Sequence, residues 1–207
     1  TSMSIITEEL AQRRLEVPPE NAAVVKRVIH TTADFDYAQN LHFTPAAVAA
    51  GIAAMHEGVT IITDTNMALA GITKPGIAKL GGQAVCFMAD PAVAAAAKEA
   101  GTTRAVAAMH KAAQEYPRAV LAVGNAPTAL VRACELIDAG ELKPALVIGV
   151  PVGFVNVVES KELLLTLDVP HIVARGRKGG SNVAAAICNA LVYSAAEMLD
   201  PTARGWK

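Results

Sequence analysis

Five short apolar segments, each followed by a stretch with helical periodicity, constrain the fold of this chain more than any other feature. Each segment is four to six residues long and is bounded by residues typical of turns. The segments are 59–63, 83–87, 118–123, 145–149 and 171–174. Because strands that alternate with helices form parallel sheets covered on both faces, the pattern predicts a single three-layer α/β/α domain with a five-stranded, mainly parallel sheet.

The alternation begins only after residue 57, which divides the predicted domain into two parts. Segment 1–57 is predicted to hold helices, and segment 58–207 the strand–helix units. Thr44 and Pro45 have the residue types of a helix cap and first helical position, so we expect a helix to start there. With 207 residues, 53% of them hydrophobic, the chain is long enough for one substantial core.

Charge and cysteine usage exclude several classes of function. The formal net charge of −1 provides no basic face for nucleic acid. No apolar run approaches the ~18–20 residues of a membrane span, and the N-terminus does not resemble a secretory signal. Cys86, Cys134 and Cys188 are isolated, without the spacing of a metal site. We therefore expect a cytoplasmic protein with reduced thiols, no metal site and no nucleic-acid or membrane partner.

Polar residues recur where the predicted strands end. In open parallel sheets, ligands bind outside the carboxyl ends of the strands, so these residues are candidate ligand contacts. The candidates from this pattern are Asp64, Asn125, Thr128 and Ser181, together with Thr103 and Arg104 at a helix start. An arginine opposes the dipole at a helix start, which favours a ligand role for Arg104. Helix capping explains Asp64, Asn125 and Thr128 equally well.

The loop after the last predicted strand has the composition of an anion-binding loop. Arg175, Arg177 and Lys178 place three cations within four residues. Gly179 and Gly180 let backbone N–H groups approach a ligand, and the helix that follows begins with further N–H donors. The sequence predicts that this loop binds carboxylate or phosphate, whereas the alternative is a solvated loop with incidental charge. It matches neither the Walker nor the dinucleotide-binding pattern.

His30 is the best candidate for a proton-transfer group. It lies at the predicted end of an amphipathic helix with Val24, Val28 and Ile29 on its apolar side. Histidine can donate and recover a proton near neutral pH, as a general acid must. The alternative is a histidine that only caps the helix.

Four segments, in order along the chain, resemble the precorrin-8 (cobalt-precorrin-8) methylmutases of cobalamin biosynthesis. They are RVIHTTADFDY (27–37), VGNAPTAL (123–130), GVPVGFVNVVESKE (149–162) and ARGRKGGSN (174–182). Together they span nearly the whole chain, so the resemblance is specific.

The resemblance implies an isomerase that moves a methyl group from C-11 to C-12 of a tetrapyrrole rimmed with carboxylates. It implies no cofactor, since any cobalt would arrive in the substrate. His30 matches the family histidine that donates and recovers a proton. Arg27 and, more weakly, Ser2 match substrate contacts, and Thr31 follows the histidine. The family is homodimeric, which implies a homodimer here.

Two other functions fit the same residues. A tetrapyrrole carrier without catalytic activity would use the basic loop in the same way. An α/β enzyme for a phosphorylated small molecule would use it for phosphate. Turnover of the tetrapyrrole distinguishes the first from the isomerase, and binding of a sugar phosphate or nucleotide would favour the second.

Overall fold

The computed structural model describes residues 1–200, so the last seven residues of the predicted domain lie outside the described part. The strands are β1 (Leu41–Phe43), β2 (Thr60–Thr63), β3 (Gln83–Cys86), β4 (Val120–Val123), β5 (Leu146–Gly149) and β6 (His171–Ala174). The helices are α1 (Ser2–Gln12), α2 (Ala22–Thr32), α3 (Tyr37–Asn40), α4 (Ala47–His56), α5 (Asn66–Gly71), α6 (Lys74–Lys79), α7 (Pro91–Ala100), α8 (Arg104–Glu115), α9 (Pro127–Asp138), α10 (Val157–Leu165) and α11 (Ser181–Ala195). A short 3₁₀ turn, Pro19–Asn21, precedes α2.

The six strands form one sheet in the order β1-β6-β5-β4-β2-β3. The five strands from β2 to β6 are parallel, and β1 pairs antiparallel with β6, with Leu41 opposite Ala174. The carboxyl ends of the parallel strands therefore share one edge of the sheet. The loops after β2, β4, β5 and β6 leave from this carboxyl edge.

Helices cover both faces of the sheet, which confirms the predicted three layers in a single α/β domain. On one face, α1, α2, α4 and α11 bury an aliphatic core against alternate strand residues such as Ile61, Leu146 and Ile172. On the other, α7, α8, α9 and α10 pack against the intervening strand residues, including Leu121 and Val147. No helix within residues 1–200 is long and apolar enough to cross a bilayer.

The helix that carries His30 follows the sequence pattern closely. Val24, Val28 and Ile29 are at most 1% exposed, and α2 packs along α11 on this apolar side. The helix ends at Thr32 because Ala33 adopts a left-handed conformation. This end places His30 in the last turn of α2, exposed to solvent.

Three local features differ from the sequence-based expectation. The sheet has six strands rather than five, because β1 is only three residues long and pairs antiparallel at an edge. Helix α6 was not predicted since Gly76 interrupts its pattern; a Cβ there would collide with Val192 of α11, so close helix packing explains the glycine. The predicted cap at Thr44 was wrong: its hydroxyl bonds the backbone of His171, and α4 starts at Ala47.

Candidate active site

Asp64 joins two of the loops at the carboxyl edge. Its carboxylate is 3% exposed and accepts hydrogen bonds from the N–H groups of Gly124, Asn125 and Ala126 at 2.8, 2.9 and 2.7 Å. These contacts are possible because β2 and β4 are neighbours in the sheet. Both carboxylate oxygens are thus used within the protein, and Asp64 shapes the loop that follows β4.

The start of α11 lies against the same loops. The Ser181 hydroxyl is 2.7 Å from the Thr65 hydroxyl, which follows β2. Gly124 lies so close to the backbone of Gly180 and Ser181 that a Cβ on it would collide with both. The loops after β2, β4 and β6 therefore meet at one place, as the polar residues at the ends of the predicted strands indicated.

The loop 175–180 after β6 packs tightly on the loop after β5. The Gly180 N–H donates to the Val150 carbonyl oxygen at 2.9 Å, and a Cβ at position 179 would overlap that same oxygen. The glycines thus serve a close backbone approach within the chain. A ligand-binding role for Gly179 and Gly180 stays a prediction.

Each cation of this loop has a partner in the chain. Arg175 forms a two-pronged ion pair with Glu162 at 3.1 and 3.2 Å, and the Arg177 guanidinium lies 5.1 Å from the centre of the Phe154 ring. Lys178 donates to Asp34 and Asp36 at 2.7 and 2.6 Å.

The Lys178 contacts link the basic loop to the segment that follows His30. The Lys178 ammonium holds the pKa of Asp34 below its ordinary value, although partial burial opposes this. The two carboxylates in turn raise the pKa of Lys178 far above its ordinary value. The lysine therefore remains a cation over the whole physiological range.

His30 opens onto a groove of about 250 Å³ between α1 and α2. Its lining includes Ser2, Ile5 and Glu9 from α1 and Phe35 from the loop after α2. Ser2 and His30, which the resemblance groups together, thus line the same cavity. Ile5 is 63% exposed at this groove, an unusual exposure for an isoleucine.

Arg27 and Thr31 flank His30 on α2. Arg27 lies one turn earlier, three residues away, so the two side chains leave the helix on the same side. Its guanidinium is 5.3 Å from the centre of the Tyr193 ring on α11. Thr31 is exposed in the last turn.

The remaining sequence candidates lie away from His30. Thr103 caps α8 by accepting from the Val106 N–H, and Arg104 donates to the Met88 carbonyl oxygen at 3.3 Å, beyond β3 at the far end of the sheet. Thr128 lines a groove against α8 on the other face. A binding role for these three residues stays a prediction.

Two larger grooves lie on the face opposite α2. Their volumes are about 550 and 450 Å³, and both contact α8 at His110. Their cations are paired with carboxylates, Arg132 with Glu135 and Lys111 with Glu115. Size alone would favour these grooves, whereas the candidate acid and the basic loop both lie elsewhere.

Sequence reasoning missed Lys161, which is 0% exposed on α10. Its ammonium donates to the carbonyl oxygens of Gly176 and Lys178 at 2.7 and 2.9 Å, in the basic loop. Burial lowers the pKa of Lys161 to about 8 because the charged form loses hydration. Its place in the segment ESKE, which resembles the family, was the available signal.

The lowered pKa of Lys161 predicts a pH-dependent stability. Above about pH 8 the native protein releases this proton, while the unfolded chain keeps it up to its ordinary value of 10.5. The unfolded state then binds more protons, so native stability rises with pH in that window. Relative to Lys161→Met, the wild type should gain free energy of unfolding from pH 8 to pH 10, by at most ~1.4 kcal/mol per unit.

Urea unfolding of both proteins at several pH values measures this difference. The exposed Lys98→Met variant is the control and should track the wild type throughout. A wild-type advantage that shrinks as pH rises would contradict the buried ammonium.

The fold and this edge define an α/β protein whose candidate ligand site lies at the carboxyl ends of parallel strands. A family model described as precorrin-8X methylmutase matches residues 1–194. The chain therefore belongs to the precorrin-8X methylmutase family, whose members are isomerases that transfer a methyl group within one molecule. This confirms the resemblance found in the sequence.

Individual relatives agree with the family model. The chain is 45% identical over 190 residues to the cobalt-precorrin-8 methylmutase of Priestia megaterium, covering 92% of this chain and 84% of the relative. It is 40% identical over 177 residues to the precorrin-8X methylmutase of Pseudomonas aeruginosa, covering 84% and 85%. A solved precorrin-8x methyl mutase from Thermus thermophilus matches with a TM-score of 0.89 and 40% identity over 96% of both chains.

Proposed function

We propose that this chain moves the methyl group from C-11 to C-12 of precorrin-8, or of its cobalt-containing form, with His30 as general acid and base. The products are hydrogenobyrinic acid or cobyrinic acid. The observation that carries the proposal is the contact of Lys178 with Asp34 and Asp36. It brings the cationic loop against the segment that directly follows the proton donor.

The exposed groups at the carboxyl edge suit a carboxylate-rimmed macrocycle. Arg175, Arg177 and Lys178 are exposed and held by side-chain partners that substrate carboxylates can replace. Beside them, Phe154 is 80% exposed and Val155 is 76% exposed, which offers an apolar surface to the ring. The cations bind the carboxylates of the macrocycle, and the apolar side chains cover the face of its ring.

His30 supplies the proton in this proposal. Protonation of the bound ring makes the methyl shift easier, and the same imidazole recovers the proton when the shift is complete. No further cofactor is needed, since the methyl group already belongs to the substrate. Arg27, three residues earlier on the same side of α2, binds a substrate carboxylate near the reacting carbons.

The groove at His30 supports a homodimer. Sites for drug-sized ligands have volumes of roughly 300–1,000 Å³, and the groove in one chain holds about 250 Å³. We infer that a second copy covers the exposed Ile5 and supplies the missing walls.

The three cysteines are unpaired thiols, which fits the proposed cytoplasmic location.

Conversion of the substrate tests this function. The purified protein is mixed with precorrin-8 or with cobalt-precorrin-8, and visible absorption is followed together with product analysis. We expect catalytic conversion of at least one substrate to the corresponding acid. Binding of both substrates without conversion would instead support a carrier.

A further inference from the structure

Lys161 is a cation buried inside the protein. Its side chain is 0% exposed, and no described acidic residue within 1–200 lies within ion-pairing distance of its ammonium. Its two hydrogen bonds go to backbone carbonyl oxygens instead. Burying a charge without a counter-ion is costly, and an apolar side chain of similar size would avoid that cost. The two hydrogen bonds to the loop backbone are therefore the interactions of this lysine that offset the cost of its burial.

The two acceptors belong to the loop that carries the substrate cations. The carbonyl oxygens of Gly176 and Lys178 point inward to the ammonium. The Lys178 side chain leaves the loop in the exposed direction and reaches Asp34 and Asp36. Lys178 thus connects the two sides: its carbonyl oxygen binds the buried ammonium, and its side chain contacts the segment that follows His30.

Other contacts hold both ends of the loop and one point in its middle. The Arg175 N–H donates to the Asn40 carbonyl oxygen, and the Gly180 N–H to that of Val150. Between these ends, the Arg177 carbonyl oxygen accepts from the Gly153 N–H at 3.1 Å. Lys161 binds the carbonyl groups on both sides of Arg177, so it supplies two of the three hydrogen bonds that orient the middle of the loop.

We propose that Lys161 is a positioning residue of the active site. It holds the backbone of the basic loop from the buried side, so that the Lys178 side chain is presented to a substrate carboxylate. This inference rests on the proposed function. Lys161 does not touch the substrate. It acts through the loop backbone, and its loss changes the affinity of the site for the carboxylate-rimmed ring.

Lys74, which is exposed, provides a control for the hydrogen-bond pattern of Lys161. Its ammonium also donates to two backbone carbonyl oxygens, those of Leu69 and Ile72, at the start of α6. Lys74 lies on a different segment from the basic loop. A general effect of removing a carbonyl-binding lysine would appear in both Lys74→Met and Lys161→Met, whereas a positioning effect would appear only in the second.

The test is a titration with hydrogenobyrinic acid, monitored by its visible spectrum. Lys161→Met should raise the dissociation constant about 10-fold, and Lys74→Met should change it less than about twofold. Lys178→Ala should raise it by a similar factor. The double variant Lys161→Met/Lys178→Ala should bind hydrogenobyrinic acid no more weakly than whichever single variant has the higher dissociation constant. The reason is that both changes remove the same interaction.

The same variants separate positioning from folding. In turnover assays, Lys161→Met should raise KM far more than it lowers kcat, which a loss of folded protein would not produce. If methionine prevents folding, Lys161→Gln takes its place and is judged by the same two criteria. Wild-type affinity in the folded variant, or additive effects in the double variant, would overturn the positioning role.

The wild-type titration tests the proposed function independently. Absence of product binding by the wild type contradicts the methylmutase site itself. Binding by the wild type that Lys161→Met fully retains contradicts only the inference about Lys161.

Discussion

Replacing His30 by alanine is expected to lower turnover by about 10³-fold while leaving the fold and product binding intact. The side chain is exposed in the last turn of α2, so its removal opens no buried cavity. The carboxylate contacts of the ring are made by other residues. The rate of conversion at saturating substrate, with the dissociation constant of the product, measures both parts of this expectation.

His110→Ala is the matched control for this variant. His110 is an exposed helical histidine on α8, on the opposite face of the sheet. It should retain the wild-type rate. A His30→Ala protein that turns over within threefold of the wild type would remove His30 from the mechanism.

Asp64→Ala should have the largest effect on stability. Three backbone N–H groups lose a charged acceptor in a buried position, which is expected to cost about 3–5 kcal/mol of the free energy of unfolding. Asp64→Asn should lose part of this, because one amide nitrogen replaces an accepting oxygen. Urea unfolding at pH 7 measures the loss.

Asp90→Ala provides the comparison for Asp64. Asp90 also accepts from a backbone N–H, that of Ala92, but at the more exposed start of α7. Its loss should be much smaller, since water can replace the acceptor. Equal losses for the two variants would show that the burial of Asp64 is unimportant.

Local patterns in the sequence were sufficient to predict the layers of this fold. The apolar segment 118–123, which contains β4, and the helix start at Thr103 and Arg104 depend on neighbours in the chain, and they agree with the structure. Strand β1 could not be found in this way. Its three residues become a strand only because β6 offers an edge for antiparallel pairing.

The site was predictable only as a set of loops. The polar residues after β2, β4 and β6 do meet at the carboxyl edge. The three bonds to Asp64, however, require the adjacency of β2 and β4, which no local pattern encodes. The pairing of Lys178 with Asp34 spans 144 residues and could not be predicted from local sequence either. The same holds for Lys161, whose burial depends on how α10 packs.

The most direct test of the central claim is a crystal structure of the protein with hydrogenobyrinic acid bound. The proposal predicts the ring at the carboxyl edge, with C-11 or C-12 about 3–4 Å from an imidazole nitrogen of His30. It also predicts carboxylates of the ring at Lys178 and Arg27. A ring bound in the grooves of the opposite face, with His30 in solvent, would contradict it.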